Sequence, residues 1–336
     1  MKIINLDTKK QQEIINSVSQ KTGLSPVSIE KDCWVVQVLQ ALFSLPYCNH
    51  LSFKGGTSLS KCWHLIERFS EDVDIAIDQE FLGFEGLLSK TQISDKLRRA
   101  SCSFVRERLH FDLQKQLKEM GIDEDAFSVS VNITPVTTTD PEVITIGYRS
   151  VFNQNDYIPN AVKIEVSGRS MSEPVIPCKV RSIIDECYPN AIFSEHPVEV
   201  RAVAPERTFL EKLFLLHEEL AKPSEQIRVS RMSRHIYDLA RLYDSGIADK
   251  ALDDEDLYRR VIEHRRKYIG LRGFDYNELY PPTLRIIPQD SIGEQWREDY
   301  KAMREQMVYG DAPTYDELIG IMSVLIDRIS QLPYRP

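Results

Sequence analysis

Two short strings carry residue types suited to phosphate and metal chemistry: Lys54-Gly55-Gly56-Thr57-Ser58 and Asp72-Val73-Asp74. A strand that turns through two glycines into a helix start brings backbone N–H groups and the positive helix end against whatever lies there, which is how proteins hold anions and phosphates. The spacing is not that of a Walker loop, and a plain structural turn would use the same glycine pair. Residues two apart on a strand share a face, so Asp72 and Asp74 point together while Val73 and Ile75 enter the core. Two neighbouring carboxylates repel unless a cation sits between them or a proton is shared, which makes them hard oxygen ligands for Mg²⁺. An exposed acidic strand end that binds nothing has the same pattern. Glu165 lies between Ile164 and Val166, on the opposite strand face together with Lys163, and is the candidate third carboxylate. A solvent-facing glutamate fits that alternation equally. If the three converge, they bind two Mg²⁺, one activating an attacking hydroxyl and the other neutralising a triphosphate and its leaving group.

The elements that must position these residues can be read from periodicity. Residues 8–20 suit a helix, and a second begins at Ser25-Pro26, with serine as N-cap and proline at the first helical position; Ile29, Cys33, Val36 and Leu39 keep helical spacing as far as Leu42. Leu51–Lys54 is a short strand, Gly55-Gly56 a tight turn, and Thr57 to about Ile66 a helix. Val73, Ile75 and Ile77 alternate with polar neighbours as a strand, 82–120 is mostly helical, and 128–134, 144–149, 161–167 and 197–203 alternate as further strands. From Pro205 the pattern is helical, with stripes Phe209, Leu213, Leu216, Leu220 and Ile236, Leu239, Leu242, and a closing helix over 315–331. The expected fold class is α+β, with a mixed sheet flanked by helices over residues 1–204 and a helical domain over 205–336.

Composition narrows the function classes. With 336 residues, 42% hydrophobic and 28% charged, the chain can bury a real core, and neither wholesale disorder nor a membrane composition fits. The six cysteines contain no C-x-x-C pair and read as reduced, mostly packed thiols. The seven histidines show no metal-ligand spacing, and no serine sits in a G-x-S-x-G elbow. The first residues turn polar by residue 6, which reads as too soon for a signal peptide, and no stretch approaches the ~20 apolar residues of a membrane span, so a cytoplasmic location is the default expectation. The net charge of −9 argues against a protein that coats nucleic acid. The segment Arg228–Arg272, however, carries eleven Lys/Arg against eight Asp/Glu, leaving −12 for the remainder. Such a run suits a solvated helix face or a phosphate-bearing partner. The acidic run Asp253–Asp256 reads as a helix start.

The string Phe53 to Lys61, followed by Arg68-Phe69-Ser70-Glu71-Asp72-Val73-Asp74-Ile75, resembles the nucleotidyltransferase signature of the AbiEii/AbiGii toxin family, and Glu30-Lys31-Asp32 fits its N-terminal layout. The resemblance spans roughly residues 25–245 and implies a core like that of DNA polymerase β, extended by a C-terminal helical region. It implies that Lys54, Gly55, Gly56, Thr57 and Ser58 bind the nucleotide, with Gly56 and Ser58 at the β and γ phosphates. It further implies that Asp72, Asp74 and Glu165 hold the metals. The third carboxylate is Asp in many relatives and Glu here. A fourth motif resembles Glu211-Lys212-Leu213 and Arg234-His235-Ile236-Tyr237-Asp238-Leu239, with Lys212 neutralising triphosphate charge and Asp238 positioning it or the base. Read without the family, Lys212 lies at a stripe edge from which it could snorkel to water, and Arg234 with Asp238 is an i, i+4 pair of ~0.3 kcal/mol.

The activity so implied is Mg²⁺-dependent transfer of NMP from an NTP to RNA, foremost the tRNA 3′ end, with pyrophosphate leaving. Arg98, Arg99, Arg231, Arg234, Arg265 and Arg266 are candidates to hold the RNA phosphates. Two rivals keep the same motifs: nucleotidylation of a protein hydroxyl, and a nucleotide-binding or partner-binding module without turnover. Family resemblance also implies an antitoxin of winged-helix type.

Overall fold

The computed structural model describes residues 2–70, 72–132, 142–152 and 159–336. Glu71 of the signature and the last residues of the expected 128–134 strand lie outside the described residues. The chain divides into two compact units. The first comprises Met1–Cys62 and Ser70–Val203, and the second Trp63–Phe69 and Ala204–Pro336. Among the described residues, no helix is long and apolar enough to cross a membrane.

The first unit is a seven-stranded mixed sheet with helices. Its strands are β1 (Leu51–Lys54), β2 (Val73–Ile77), β3 (Phe127–Val131), β4 (Glu142–Tyr148), β5 (Ala161–Ser167), β6 (Val175–Val180) and β7 (Val198–Val203). They lie in the order β3-β4-β5-β2-β1-β7-β6. β2 is antiparallel to β1 and parallel to β5, and β1 is parallel to β7. β6 was not expected from periodicity. Pro177 obscures its alternation, and it occupies the sheet edge, where a proline removes no needed donor.

Helix α1 (Thr8–Thr22) is capped by Asp7, and α2 (Pro26–Phe43) by Ser25, whose hydroxyl accepts from Ser28 N–H. α2 is buried almost all round and packs on β5 and β7. Its charged triplet is buried too, each member directed to a different loop. Glu30 accepts from Val151 N–H at 2.8 Å, Lys31 donates to Pro159 C=O at 3.0 Å, and Asp32 accepts from Ile183 N–H at 2.7 Å. A buried charge is retained only when so bonded.

Helix α3 (Gly55–Lys61) is shorter than expected: the glycines are its first residues, and it ends at Lys61 instead of continuing to Ile66. A helical run follows β2, made of Gln92–Leu97, α4 (Arg98–Phe104), Val105–Leu109 and α5 (His110–Glu119), the first and third segments π-helical. Helix α6 (Ile183–Cys187) precedes β7. None of the six cysteines is in a disulfide, and only Cys33 and Cys102 are buried.

The second unit is helical: α7 (Pro205–Leu220), α8 (Ser233–Asp244), α9 (Ile247–Asp253), α10 (Glu255–His264), α11 (Asp290–Met307) and α12 (Tyr315–Ser330). Both expected stripes face its core, with Phe209, Leu213, Leu216, Ile236, Leu239 and Leu242 fully buried. Asp254 caps α10 by accepting from Leu257 N–H at 2.8 Å, which explains the acidic run. The segment 63–69 belongs to this unit through Phe69 N–H to Met307 C=O and Tyr309 N–H to Glu67 C=O.

Candidate functional site

In the first unit the candidate residues stand in one row across the sheet. Lys54 on β1 is the antiparallel partner of Asp74 on β2, and Asp74 is the parallel partner of Glu165 on β5. Paired positions share a face, so a cation and two carboxylates stand side by side, all partly exposed. Their neighbours Phe53, Val73, Ile75, Ile164 and Val166 are fully buried on the other face. Asp72 sits just before the strand, and its carbonyl accepts a hydrogen bond from the Thr57 hydroxyl.

Gly55 has a reason apart from any ligand. Its φ is +79°, and a Cβ there would lie 1.9 Å from Asp74 Oδ2 and 2.9 Å from its Cγ. The Asp74 carboxylate therefore occupies the space of the missing side chain, and only glycine permits both the backbone and the contact. Thr57 and Ser58 are buried, and their hydroxyls are turned inward: Thr57 Oγ1 is 2.9 Å from Ser70 Oγ, and Ser58 Oγ donates to Gly55 C=O at 2.9 Å. Both hydroxyls brace α3, while Lys54, Gly55 and Gly56 keep partial exposure.

The donor types suit a hard divalent cation: Asp74 and Glu165 are adjacent in register, and Asp72 is two residues from Asp74. Among the described residues, no three His, Cys, Asp or Glu side chains already close on one point that could hold a metal ion. The residues thus fit Mg²⁺ in chemistry and register, and a third ligand needs side-chain movement or comes from the substrate.

The second unit holds a buried ionic cluster. Arg68 donates from Nε and Nη2 to the two Asp238 oxygens, each at 2.7 Å, and Lys212 Nζ lies 2.9 Å from Asp238 Oδ2. The Asp238 side chain has no exposed surface, while the Arg68 and Lys212 side chains are 3% and 10% exposed. Burial alone would raise the Asp238 pKa, but Arg68 and Lys212 outweigh it and hold the carboxylate far below its ordinary range. Burial likewise opposes the charge on Arg68, where Asp238 prevails and raises the pKa. For Lys212 burial prevails, and its pKa is lowered despite Asp238. The neighbouring His235 is kept neutral by burial and by the cations Lys212 and Arg234.

Two expectations change here. Lys212 does not snorkel, and Asp238 pairs with Lys212 and with an arginine 170 residues away, not simply with Arg234 as a surface helix pair. Asp238 therefore holds Lys212, and its buried carboxylate is not presented to a base. The string Arg68-Phe69-Ser70 contained this partner, but nothing local in it indicates a contact with α8. Two of the proposed RNA-binding arginines are also interior. Arg98 is 4% exposed and donates to Ser94 C=O, and Arg265 is 8% exposed and donates from Nε to Glu218 at 2.7 Å. Neither offers a surface charge. Arg99, Arg231 and Arg266 are exposed, and Arg234 is partly so.

The model of the family described as nucleotidyl transferase AbiEii toxin, type IV toxin–antitoxin system, matches residues 37–320. The chain belongs to this family. It is a nucleotidyltransferase of the AbiEii toxin type, and membership implies an NTP substrate and a cognate antitoxin. No curated protein matches the chain. Among solved structures it is similar to MenT4, a nucleotidyltransferase toxin from Mycobacterium tuberculosis, at 16% identity over 94% of this chain and 98% of that one, with a TM-score of 0.47. The AbiEii match covers both the Lys54–Asp74–Glu165 row and the Arg68–Asp238–Lys212 cluster, and it begins beyond Glu30-Lys31-Asp32.

Proposed function

We propose that this AbiEii-family protein transfers NMP from an NTP to an RNA acceptor, the tRNA 3′ end foremost. The acceptor hydroxyl attacks the α-phosphorus, the bond from that phosphorus to the bridging oxygen breaks, and pyrophosphate leaves. The observation that carries the reading is the row of Lys54, Asp74 and Glu165, with Gly55 against the Asp74 carboxylate. Asp72, Asp74 and Glu165 would hold Mg²⁺, which when bound supplies charge neutralisation and activation of the attacking oxygen. Lys54 and the Gly55-Gly56 backbone are assigned to the phosphates, with Thr57 and Ser58 bracing the turn from within. In the second unit Lys212 is assigned to triphosphate charge, with Asp238 holding its ammonium and Arg68 holding Asp238. The exposed Arg99, Arg231 and Arg266, with Arg234, are assigned to RNA phosphates, contacts that orient a nucleic acid without reading its sequence.

The net charge of −9 favours the second reading, a protein hydroxyl as acceptor. Incubation with Mg²⁺, total tRNA and each α-labelled NTP, beside Asp72→Ala and Asp74→Ala, separates the two on a denaturing gel. Label on RNA that vanishes in both variants is expected. Label on a protein band instead refutes the RNA acceptor, and equal labelling by the variants refutes the site. RNA labelling should also weaken steeply with added salt.

A further inference from the structure

We infer that Asp32, which lies outside the segment matched to the family, is a positioning residue that sets the phosphate-binding turn from behind by gripping the far end of α3. The inference rests on the proposed role of Gly55 and Gly56.

α3 is poorly able to hold itself. It has seven residues, begins with two glycines and has no side-chain cap at its start. So short a helix depends on tertiary contacts. Those at its first turn come from Thr57, which reaches Ser70 and the Asp72 carbonyl. Those at its last turn include Lys61, whose ammonium pairs with Asp32 and donates to Arg181 C=O at 3.2 Å. Asp32 Oδ1 takes Lys61, while Oδ2 accepts from Ile183 N–H at 2.7 Å, so the carboxylate is held from two directions. Asp32 is 3% and Lys61 9% exposed, and α2, which carries Asp32, is buried nearly all round.

Glu30 and Lys31 bond to other loops, around residues 150 and 159, whereas Asp32 reaches α3. α3 spans roughly 10 Å. A slip at Lys61 therefore moves Gly55, which sits against the Asp74 carboxylate with no room for even a methyl group. Asp32 touches no nucleotide in this scheme. It fixes where the turn stands relative to Asp74.

The test uses the full chain and Mg²⁺-dependent pyrophosphate release, with the NTP varied. In Asp32→Asn, KM for the NTP should rise by about 10-fold or more with a smaller change in kcat, since small displacements are felt strongly in binding geometry. Asp32→Glu, which keeps the ion pair, should recover much of the loss. Amide hydrogen exchange should quicken at the Cys62 N–H, bonded to Ser58 C=O, and leave β2 and β5 protected. Asp32→Asn strands the Lys61 ammonium and could unfold the unit. The paired change Asp32→Asn with Lys61→Gln buries no charge and carries the same test. A folded variant with lower thermal stability but unchanged KM and unchanged exchange in α3 overturns the inference. A wild type that releases no pyrophosphate with any NTP overturns the nucleotide reading itself, and this inference with it.

Discussion

Asp238→Ala removes the only carboxylate in the Arg68–Asp238–Lys212 cluster and leaves two cations where burial is nearly complete. Deleting one partner of a buried pair destabilises by about 3–5 kcal/mol, because the remaining charge is stranded. Here two charges are stranded and repel each other, which places the expected loss at the upper end of that range. A typical domain has a total stability of roughly 5–15 kcal/mol, so the second unit should approach its unfolding threshold. Urea unfolding followed by circular dichroism, with wild type and variant fitted at a common m-value, measures the difference.

The sign with pH is distinctive. In the wild type the Lys212 pKa is lowered, first by burial and then by Arg68, with Asp238 opposing. Without Asp238 it falls further, so in the variant the folded state releases a proton that the unfolded state keeps. Stability then rises with pH from the depressed folded value up to the ordinary lysine value. The destabilisation of Asp238→Ala should accordingly be smaller at pH 9.5 than at pH 7. Replacing all three residues by apolar ones of similar size, Arg68→Met, Lys212→Met and Asp238→Leu, should return most of the lost stability. A loss under about 1 kcal/mol for Asp238→Ala, the value of an exposed ion pair, would refute the reasoning.

Gly55→Ala forces an L residue to φ +79° and its methyl into the Asp74 carboxylate. The strain is about 1–2 kcal/mol and Asp74 can rotate away, so the protein should still fold while nucleotidyl transfer falls as far as in Asp74→Ala. Unchanged transfer would show that the position of the Asp74 carboxylate is unimportant. His217 is fully buried and accepts from Arg285 N–H at 2.8 Å. Burial, together with the positive charge of Arg285, lowers its pKa to about 4. Its folded form is neutral where an unfolded histidine is protonated, so stability should be lost as pH falls from about 6.5 to about 4, by about 3 kcal/mol in all. His217→Gln should lower the slope of unfolding free energy against pH in that window by about one proton; an unchanged slope would mean that His217 does not titrate there.

Much of the first unit was legible because its signals are local. The Ser25-Pro26 start of α2, the apolar alternation around Asp74 and Glu165, and the glycine pair are written in neighbouring residues. What stayed hidden is of another kind. Arg68 with Asp238 and Asp32 with Lys61 are contacts between distant parts of the chain, and nothing in the residues around either member points to its partner. Composition rules place charges outside, so a buried charge becomes visible only once its partner is placed. The same limit applies to Arg98 and Arg265, whose type suggested RNA while their burial assigns them to the interior.

These hidden contacts share a physical logic. Lys212 and the α3 turn are both assigned to phosphate, yet neither is stable where it stands without help: one is a buried ammonium, the other a seven-residue helix opened by two glycines. In each unit a buried carboxylate supplies that help, Asp238 for Lys212 and Asp32 for Lys61 at the end of α3. Each carboxylate is also held from a second side, Asp238 by Arg68 and Asp32 by Ile183 N–H, so its direction does not depend on the group it holds. Such pre-organisation matters for a reaction in which the protein contributes little covalent chemistry and acts mainly by placing charge. It also explains why acidic residues recur in these motifs although the substrate is itself an anion. Asp72, Asp74 and Glu165 are assigned to a cation that would stand between them and the phosphates, whereas Asp238 and Asp32 are paired with cations of the protein itself and are hidden from solvent.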